Sequence, residues 1–125
     1  MASIKNFEDL EVWKISMKLC TEVYQLTNTE LFSKDFGLKD QIRRSAVSVP
    51  SNISEGYERD AKKQFLYSLA ISKGSCGELR TQLRIAYNLS YIDDNDFNKL
   101  NEEAIKTSKQ LSGFIKYLNN FNSKK

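Results

Sequence analysis

The residues in this sequence that can do chemistry are mainly basic, and several share one side of a predicted helix. The basic strip consists of Arg59, Lys62, Lys63, Lys73, Arg80 and Arg84. Such a strip can hold phosphate groups, so RNA or DNA is a candidate partner. The alternative is that these side chains are solvated or paired with neighbouring acids. No aromatic residues interleave with the basic ones, so the pattern of single-strand stacking is absent from the strip.

Catalytic residue types are scarce. The chain contains no histidine, which removes the usual general base and the commonest metal ligand. Cys20 and Cys76 are the only cysteines, and both fit buried thiols in a reducing compartment. Asp93, Asp94 and Asp96 resemble a cation site, but capping of a helix explains them better. We therefore predict that the protein is not an enzyme and uses no cofactor.

Length and composition favour one folded domain. The 125 residues fit a single domain over positions 1–125, and 40% of them are hydrophobic. No apolar run approaches the ~18 residues of a membrane span, and the first residues do not form a secretory signal. We predict a cytoplasmic protein without a membrane partner. The net charge of +3 says little by itself, but five basic and two acidic residues lie within positions 60–91.

Helical periodicity dominates the sequence, which contains one proline and five glycines. It predicts an all-α chain of four helices joined by short loops, at about 8–28, 35–57, 61–90 and 94–120. Pro50 falls inside the second helix, which should therefore be kinked. A loop at 48–52 is the alternative. The apolar pattern continues in register from Leu38 to Ile53, and this favours a kinked continuous helix.

The first predicted helix is apolar over an unusually wide arc. One seam contains Leu10, Trp13, Met17, Cys20 and Tyr24. A second seam, about 140° away around the helix axis, contains Val12, Ile15, Leu19, Val23 and Leu26. An outer helix of a monomeric bundle normally has an apolar stripe of about 100°. We interpret the second seam as a contact between copies of the chain. Coverage by loops or by Ile4 and Phe7 is the alternative.

The third predicted helix is also two-faced. Tyr67 and Ile71 lie nearly opposite its core stripe, and Gly74 lies in a run of small residues. Small residues let another helix approach closely, so we add Tyr67, Ile71 and Gly74 to the candidate interface between copies. A local break of the helix at its glycines is the alternative.

The second predicted helix has a polar seam beside its apolar one. This polar seam contains Gln41, Arg44, Ser48, Asn52 and Glu55. We expect Arg44 and Glu55 to pair with groups on neighbouring helices, such as Glu78 and Gln82. Polar residues at this spacing can fix the register between helices. A solvated face is the alternative.

A long motif connects the chain to a known family. The motif runs from Gln41 to Gly56 and reads QIRRSAVSVPSNISEG, with supporting segments at 7–13 and 74–83. It resembles the small four-helix bundle proteins encoded in intervening sequences of bacterial 23S ribosomal RNA genes. The likeness extends from about Phe7 to Leu118. Lys73 departs from the small or apolar residue expected before the glycine that follows.

The resemblance implies an antiparallel up-down four-helix bundle that assembles as a homopentamer. It also implies a likeness to the accessory proteins of diversity-generating retroelements, which are basic pentamers that associate with a reverse transcriptase and nucleic acid. No activity is established for the intervening-sequence family itself. The function that we predict is a self-associating, non-enzymatic scaffold, with binding of RNA or DNA as the alternative.

Overall fold

The computed structural model describes residues 4–123, and most of them are helical. A 3-10 turn at Phe7–Asp9 is followed by five helices: α1 at Glu11–Leu26, α2 at Glu30–Ser33, α3 at Phe36–Glu58, α4 at Lys62–Asn88 and α5 at Asp94–Ser123. No strand occurs between residues 4 and 123. Within the same range, no helix is long and apolar enough to cross a membrane. The ends of the predicted domain, residues 1–3 and 124–125, lie outside the described residues.

The four long helices form an up-down bundle. α1 packs against α3, α3 against α4, α4 against α5, and α5 returns to α1. Two contacts show that α3 and α4 run antiparallel. The Tyr57 and Phe65 rings meet next to the connecting turn, with centroids 5.8 Å apart, and the Ser48 and Ser75 hydroxyls meet further away at 2.8 Å. The predicted all-α four-helix bundle is confirmed.

The short helix α2 was not predicted, and it contributes to the core. Its residue Phe32 is fully buried and packs against Tyr91 at a centroid distance of 5.5 Å. Phe32 joins a cluster with Leu19, Val23 and Ile42 at one end of the bundle. A second cluster fills the other end, and its buried members are Leu10, Val12, Val49, Ile53, Leu69, Cys76 and Leu111. One turn of helix thus places an aromatic side chain over the first cluster.

Helix α3 is continuous through Pro50, so the alternative of a loop at 48–52 is wrong. The predicted kink at Pro50 stays a prediction. Polar side chains donate hydrogen bonds to the carbonyls of the two residues that precede the proline. The Ser72 hydroxyl of α4 donates to the carbonyl of Val49 at 2.8 Å, and the Asn52 amide donates to the carbonyl of Ser48 at 2.8 Å. Helix α4 is likewise continuous through Gly74, which excludes a break there.

The starts of α3 and α5 are capped by acidic side chains. Asp35 precedes α3 and accepts a hydrogen bond from the Leu38 amide at 3.1 Å. Asp93 precedes α5 and accepts one from the Asp96 amide at 2.8 Å. Each bond satisfies one of the backbone donors that a helix start leaves unpaired. The predicted capping role of Asp93 is therefore confirmed.

Arg43 ties the end of α1 to α3. Its Nε donates to the Thr27 hydroxyl at 2.8 Å, and its Nη2 donates to the Asn28 side chain at 3.0 Å and to the Tyr24 carbonyl at 3.3 Å. The guanidinium also lies 4.2 Å from the centroid of the Tyr24 ring. A positive charge at a helix C-terminus is favourable, because the helix dipole is negative there.

We predict that Arg43→Ala destabilises the bundle by about 1–2 kcal/mol, since it leaves the buried Thr27 hydroxyl without its donor. Urea unfolding followed by circular dichroism measures the change. Arg44→Ala is the matched control, because Arg44 is exposed and its one ion pair, with Asp40, is also exposed. Such pairs are worth a few tenths of a kcal/mol. Equal losses in the two variants would contradict the role given to Arg43.

Candidate interaction surfaces

The second seam of α1 lies inside the bundle. Val12, Leu19, Val23 and Leu26 are buried within the single chain, and Val23 is 0% exposed. Ile15 is half-buried. The assignment of this seam to a contact between copies is therefore wrong, because the other three long helices and α2 already cover it. The alternative of coverage within one chain is correct, although packed helices rather than loops provide most of the cover.

The first seam of α1 forms the more exposed face. Met17 is 39% exposed and Tyr24 is similarly exposed, whereas Cys20 is half-buried. Val47 of α3 is exposed next to this seam, one helical turn beyond Arg43, which contacts Tyr24. We call Met17, Cys20, Tyr24 and Val47 the α1/α3 patch. The sequence analysis missed this patch because both seams of α1 are apolar, so periodicity does not show which of them faces outward.

Hydroxyl groups around the α1/α3 patch are already hydrogen-bonded within their own helices. The Thr21 hydroxyl donates to the Met17 carbonyl at 3.0 Å. The Ser54 hydroxyl donates to the Ser51 carbonyl, also at 3.0 Å. Covering these groups by another molecule therefore costs less than covering hydroxyls that bond only to water.

A second apolar face runs along α4. Tyr67 is 67% exposed, and Ile71, Ile85 and Leu89 are exposed as well. We call these four residues the α4 stripe. Gly74 is exposed between Ile71 and Ile85, and a Cβ atom added to it would meet nothing within 4 Å. Tyr67, Ile71 and Gly74 thus lie on the surface, as the candidate interface requires.

The polar seam of α3 makes one side-chain contact with another helix, from Ser48 to Ser75. Asn52 donates to the Ser48 hydroxyl at 2.9 Å. Arg44 pairs with Asp40 at 2.8 Å, and Glu55 pairs with Arg59 at 3.2 Å, one helical turn away in each case. Gln41 is exposed. The expected pairing of Arg44 and Glu55 with Glu78 and Gln82 is wrong, because partners one turn away on the same helix are closer.

Part of the basic strip lies along the groove between α4 and α5. The Arg80 Nε donates to the Asn101 side chain at 3.3 Å. The Arg84 guanidinium lies 4.5 Å from the Phe97 ring centroid. The Lys62 ammonium donates to the Leu118 carbonyl of α5. Three residues of the basic strip therefore lie along the same groove.

The other members of the basic strip differ in their position relative to this groove. Lys73 is exposed on the α5 side of α4, and Lys63 is exposed further round the helix. Arg59 lies at the end of α3 and pairs with Glu55, so it does not extend the groove. Gly77, Arg80, Thr81, Arg84, Ile85 and Asn101 line a shallow depression in this groove. In the described part of the chain, neither Arg80 nor Arg84 has a carboxylate within 4.0 Å.

The chemistry of the two thiols is unfavourable for catalysis. Burial raises the pKa of the Cys76 thiol to about 11, and Lys73 offsets this only in part. Burial also raises the pKa of Cys20. A thiol is nucleophilic as its thiolate, and burial favours the protonated form of both cysteines. Among residues 4–123, no group of three or more His, Cys, Asp or Glu side chains is arranged to hold a metal ion.

The fold and these surfaces define a small helical bundle whose most prominent features are exposed apolar and basic faces. The family model described as 23S rRNA-intervening sequence protein matches residues 8–113, and the chain belongs to this family. The resemblance carried by residues 41–56 is thereby confirmed.

The chain is also similar to a solved structure. A protein with unknown function from the S23 ribosomal protein family of Bacteroides thetaiotaomicron superposes with a TM-score of 0.77 at 24% identity. The match covers 84% of this chain and 98% of that one. At this identity the likeness shows the fold alone. No curated protein matches the chain.

Proposed function

We propose that this protein is a homo-oligomeric, non-enzymatic scaffold whose copies meet through the α4 stripe and the α1/α3 patch. The observation that carries the proposal is the α4 stripe, a row of exposed apolar side chains on the outer face of a long helix. Tyr67 and Leu89 are 22 positions apart, so the row extends for about 33 Å. Gly74 and the exposed Glu78 lie between its two apolar ends. Exposed apolar side chains grouped on one helix face in this way are typical of an interaction site.

Gly74 supports the same site. A glycine inside a helix costs about 1 kcal/mol relative to alanine. No contact within the chain requires its missing side chain, because an added Cβ would lie in open space. A helix from another subunit could pack closely against α4 at Gly74, because the distance between packed helices depends on the size of the side chains between them. Such a contact would explain the glycine.

The presence of two different apolar faces on one subunit favours a second copy as the partner. The α4 stripe and the α1/α3 patch lie on separate helices and share no residue. When one face of a subunit binds the other face of the next, the contact is heterologous and can close into a ring. The family resemblance implies a homopentamer, and we propose that number. Both thiols are free, so we propose the reducing cytoplasm as its compartment.

The mass in solution tests the proposal. Light scattering should give five times the chain mass of 14.4 kDa for the unaltered protein. Ile71→Glu should reduce the mass to that of a single chain while the far-ultraviolet spectrum stays helical. Ile71 is exposed in the single chain, so the new carboxylate would be buried only in the assembly. Leu31→Glu is the control, since Leu31 is also exposed but lies in α2. A monomeric parent protein, or an Ile71→Glu variant of unchanged mass, would refute the proposed interface.

Binding of a nucleic-acid backbone in the α4/α5 groove is a second candidate function. It is favoured by the positions of Arg80 and Arg84, which are held by Asn101 and Phe97 and have no carboxylate partner among the described residues. Arginine binds phosphate through several donors in a planar array. An arginine that is positioned without being neutralised keeps its charge available for such a ligand.

A gel shift with a short RNA, measured over a range of salt concentrations, tests this second function. Each phosphate contact contributes roughly −0.7 to −0.9 to the slope of log K against log salt. The double variant Arg80→Gln and Arg84→Gln should lose affinity and reduce that slope by about 1–2. Arg44→Gln is the control, because Arg44 is exposed on α3 and already paired. No binding at low salt, or equal slopes in all three proteins, would exclude the groove as the site.

A further inference from the structure

One charged side chain lies in the middle of the α4 stripe. Glu78 is exposed on α4, seven positions after Ile71 and seven positions before Ile85. Residues at this spacing are two turns apart on nearly the same side of a helix, so Glu78 is in line with both isoleucines. A molecule that covers the stripe therefore covers a carboxylate as well.

Glu78 has no ion-pair partner in the described part of its own chain. No charged residue lies one helical turn away, where the chain has Gly74, Ser75, Thr81 and Gln82. No described lysine or arginine nitrogen lies within 4.0 Å of its carboxylate. Burial of an unpaired carboxylate in a contact between copies would be strongly unfavourable. The surface that covers the stripe must therefore supply a positive charge.

The position of Glu78 also opposes a contact of the α4 stripe with itself. Tyr67 and Leu89 each lie 11 positions from Glu78, and Ile71 and Ile85 each lie seven positions from it. A two-fold axis that pairs two whole stripes antiparallel would therefore place two copies of Glu78 against each other. Like charges that meet across an interface repel. The stripe consequently favours a different surface of the next copy.

The α1/α3 patch has a positive charge at its edge. Lys14 is exposed on α1, one helical turn before Met17, and side chains at this spacing are neighbours. No described carboxylate lies within 4.0 Å of its ammonium. Arg43 already binds groups at the end of α1, and Arg44 is paired with an acid on its own helix. Lys14 is therefore the cation that remains available to a partner at this edge.

The spacing of the two surfaces matches when α4 of one copy runs antiparallel to α1 of the next. Met17 lies three positions after Lys14, and Gly74 lies four positions before Glu78. Both distances are about 5 Å along the helix axis. With Lys14 against Glu78, the Met17 side chain therefore lies over the glycine, where the space is open. Tyr24 then lies over the apolar residues of the stripe that precede the glycine.

We propose that Glu78 of one copy pairs with Lys14 of the next, and that this ion pair directs the α4 stripe to the α1/α3 patch instead of to a second stripe. The inference rests on the proposed function, because it requires copies to associate through these two surfaces. The pair joins different surfaces of the two copies, so the contact is heterologous and can repeat around a ring.

Exchange of the two charges tests the pair in the full chain. Glu78→Lys and Lys14→Glu should each increase the dissociation constant, measured by sedimentation velocity, at least about tenfold, because each places like charges in the contact. The double variant restores opposite charges and should return to within about threefold of the parent value. Both positions are exposed, so the far-ultraviolet spectra should stay helical.

Glu78→Lys combined with Lys109→Glu is the matched control for the exchange. Lys109 is exposed on α5, so this variant has the parent's net charge without the restored pair. It should associate as weakly as Glu78→Lys alone. A Glu78→Lys and Lys14→Glu double variant that is as weak as the single variants, or a control that recovers equally well, would overturn the pair.

Glu78→Gln distinguishes the pair from a contact between two stripes. Loss of the charge weakens a contact with Lys14, so we expect the dissociation constant to increase severalfold. The same change would remove the repulsion between two stripes and tighten a two-fold dimer. Tighter association of Glu78→Gln would overturn the pair and leave self-association in place. A parent protein that is monomeric at every concentration would instead refute the proposed function, and the pair with it.

Discussion

Val23→Glu is expected to unfold the protein. Val23 is 0% exposed and lies in the cluster with Leu19, Phe32 and Ile42. A carboxyl group at this position has no hydrogen-bonding partner and must either ionise in an apolar core or remain neutral at a large cost. We expect a loss of about 4–5 kcal/mol, which is a large part of the stability of a typical domain. The measurement is urea unfolding followed by circular dichroism at 222 nm.

Met17→Glu is the control for this experiment. Met17 lies on the same helix and is 39% exposed, so its glutamate variant should remain helical. If the α1/α3 patch binds another copy, Met17→Glu should also dissociate the assembly, whereas Val23→Glu should give an unfolded or aggregated chain. A Val23→Glu protein that is folded and monomeric would contradict the burial of the second seam and restore it as a subunit contact.

Gly56→Ala is expected to have the second-largest effect. An added Cβ would lie 2.5 Å from the Ser68 Cβ and 2.8 Å from its Oγ. This contact joins α3 and α4 near the turn that connects them. The Ser68 Cβ is fixed to the backbone of α4, so rotation of the hydroxyl does not relieve the clash and the helices must separate. Overpacking of this kind costs about 1–3 kcal/mol, and separation would also disturb the contact of Phe65 with Tyr57. We expect a loss of about 2–3 kcal/mol in urea unfolding.

The other helical glycines provide the comparison. An added Cβ at Gly113 meets nothing within 4 Å, and the same holds for Gly77. Gly113→Ala should therefore stabilise α5 by about 0.5–1 kcal/mol, because alanine loses less conformational entropy in a helix. Gly56→Ala with a gain similar to that of Gly113→Ala would show that α3 and α4 are not in close contact at this point.

Gly74→Ala has two expected effects of opposite sign. The helix α4 gains stability from the alanine, as at Gly113. A neighbouring subunit that lies against Gly74 would be pushed away, so the dissociation constant should increase although each chain is more stable. Sedimentation velocity over a range of protein concentrations measures the second effect. An unchanged dissociation constant would place the subunit contact elsewhere on α4.

Local patterns in the sequence were sufficient for much of this protein. The apolar periodicity predicted the four long helices, and the continuous register through Pro50 correctly favoured a helix over a loop. Asp93 was recognisable as a cap because the hydrogen bond is made within the next three residues. The motif at 41–56 was specific enough for the family. Each of these features depends on residues that are neighbours along the chain, so the sequence contains the full physical cause.

The rotation of α1 about its axis was decided by the tertiary structure alone. Both seams of α1 are apolar, and periodicity determines the angle between them without saying which one faces inward. The seam with Leu19 and Val23 faces inward because α2 and the other three long helices surround that side and Phe32 packs there. The contacts of Arg43 with Thr27 and of Arg80 with Asn101 depend likewise on how the helices are placed. Such contacts join distant residues, and only packing brings them together.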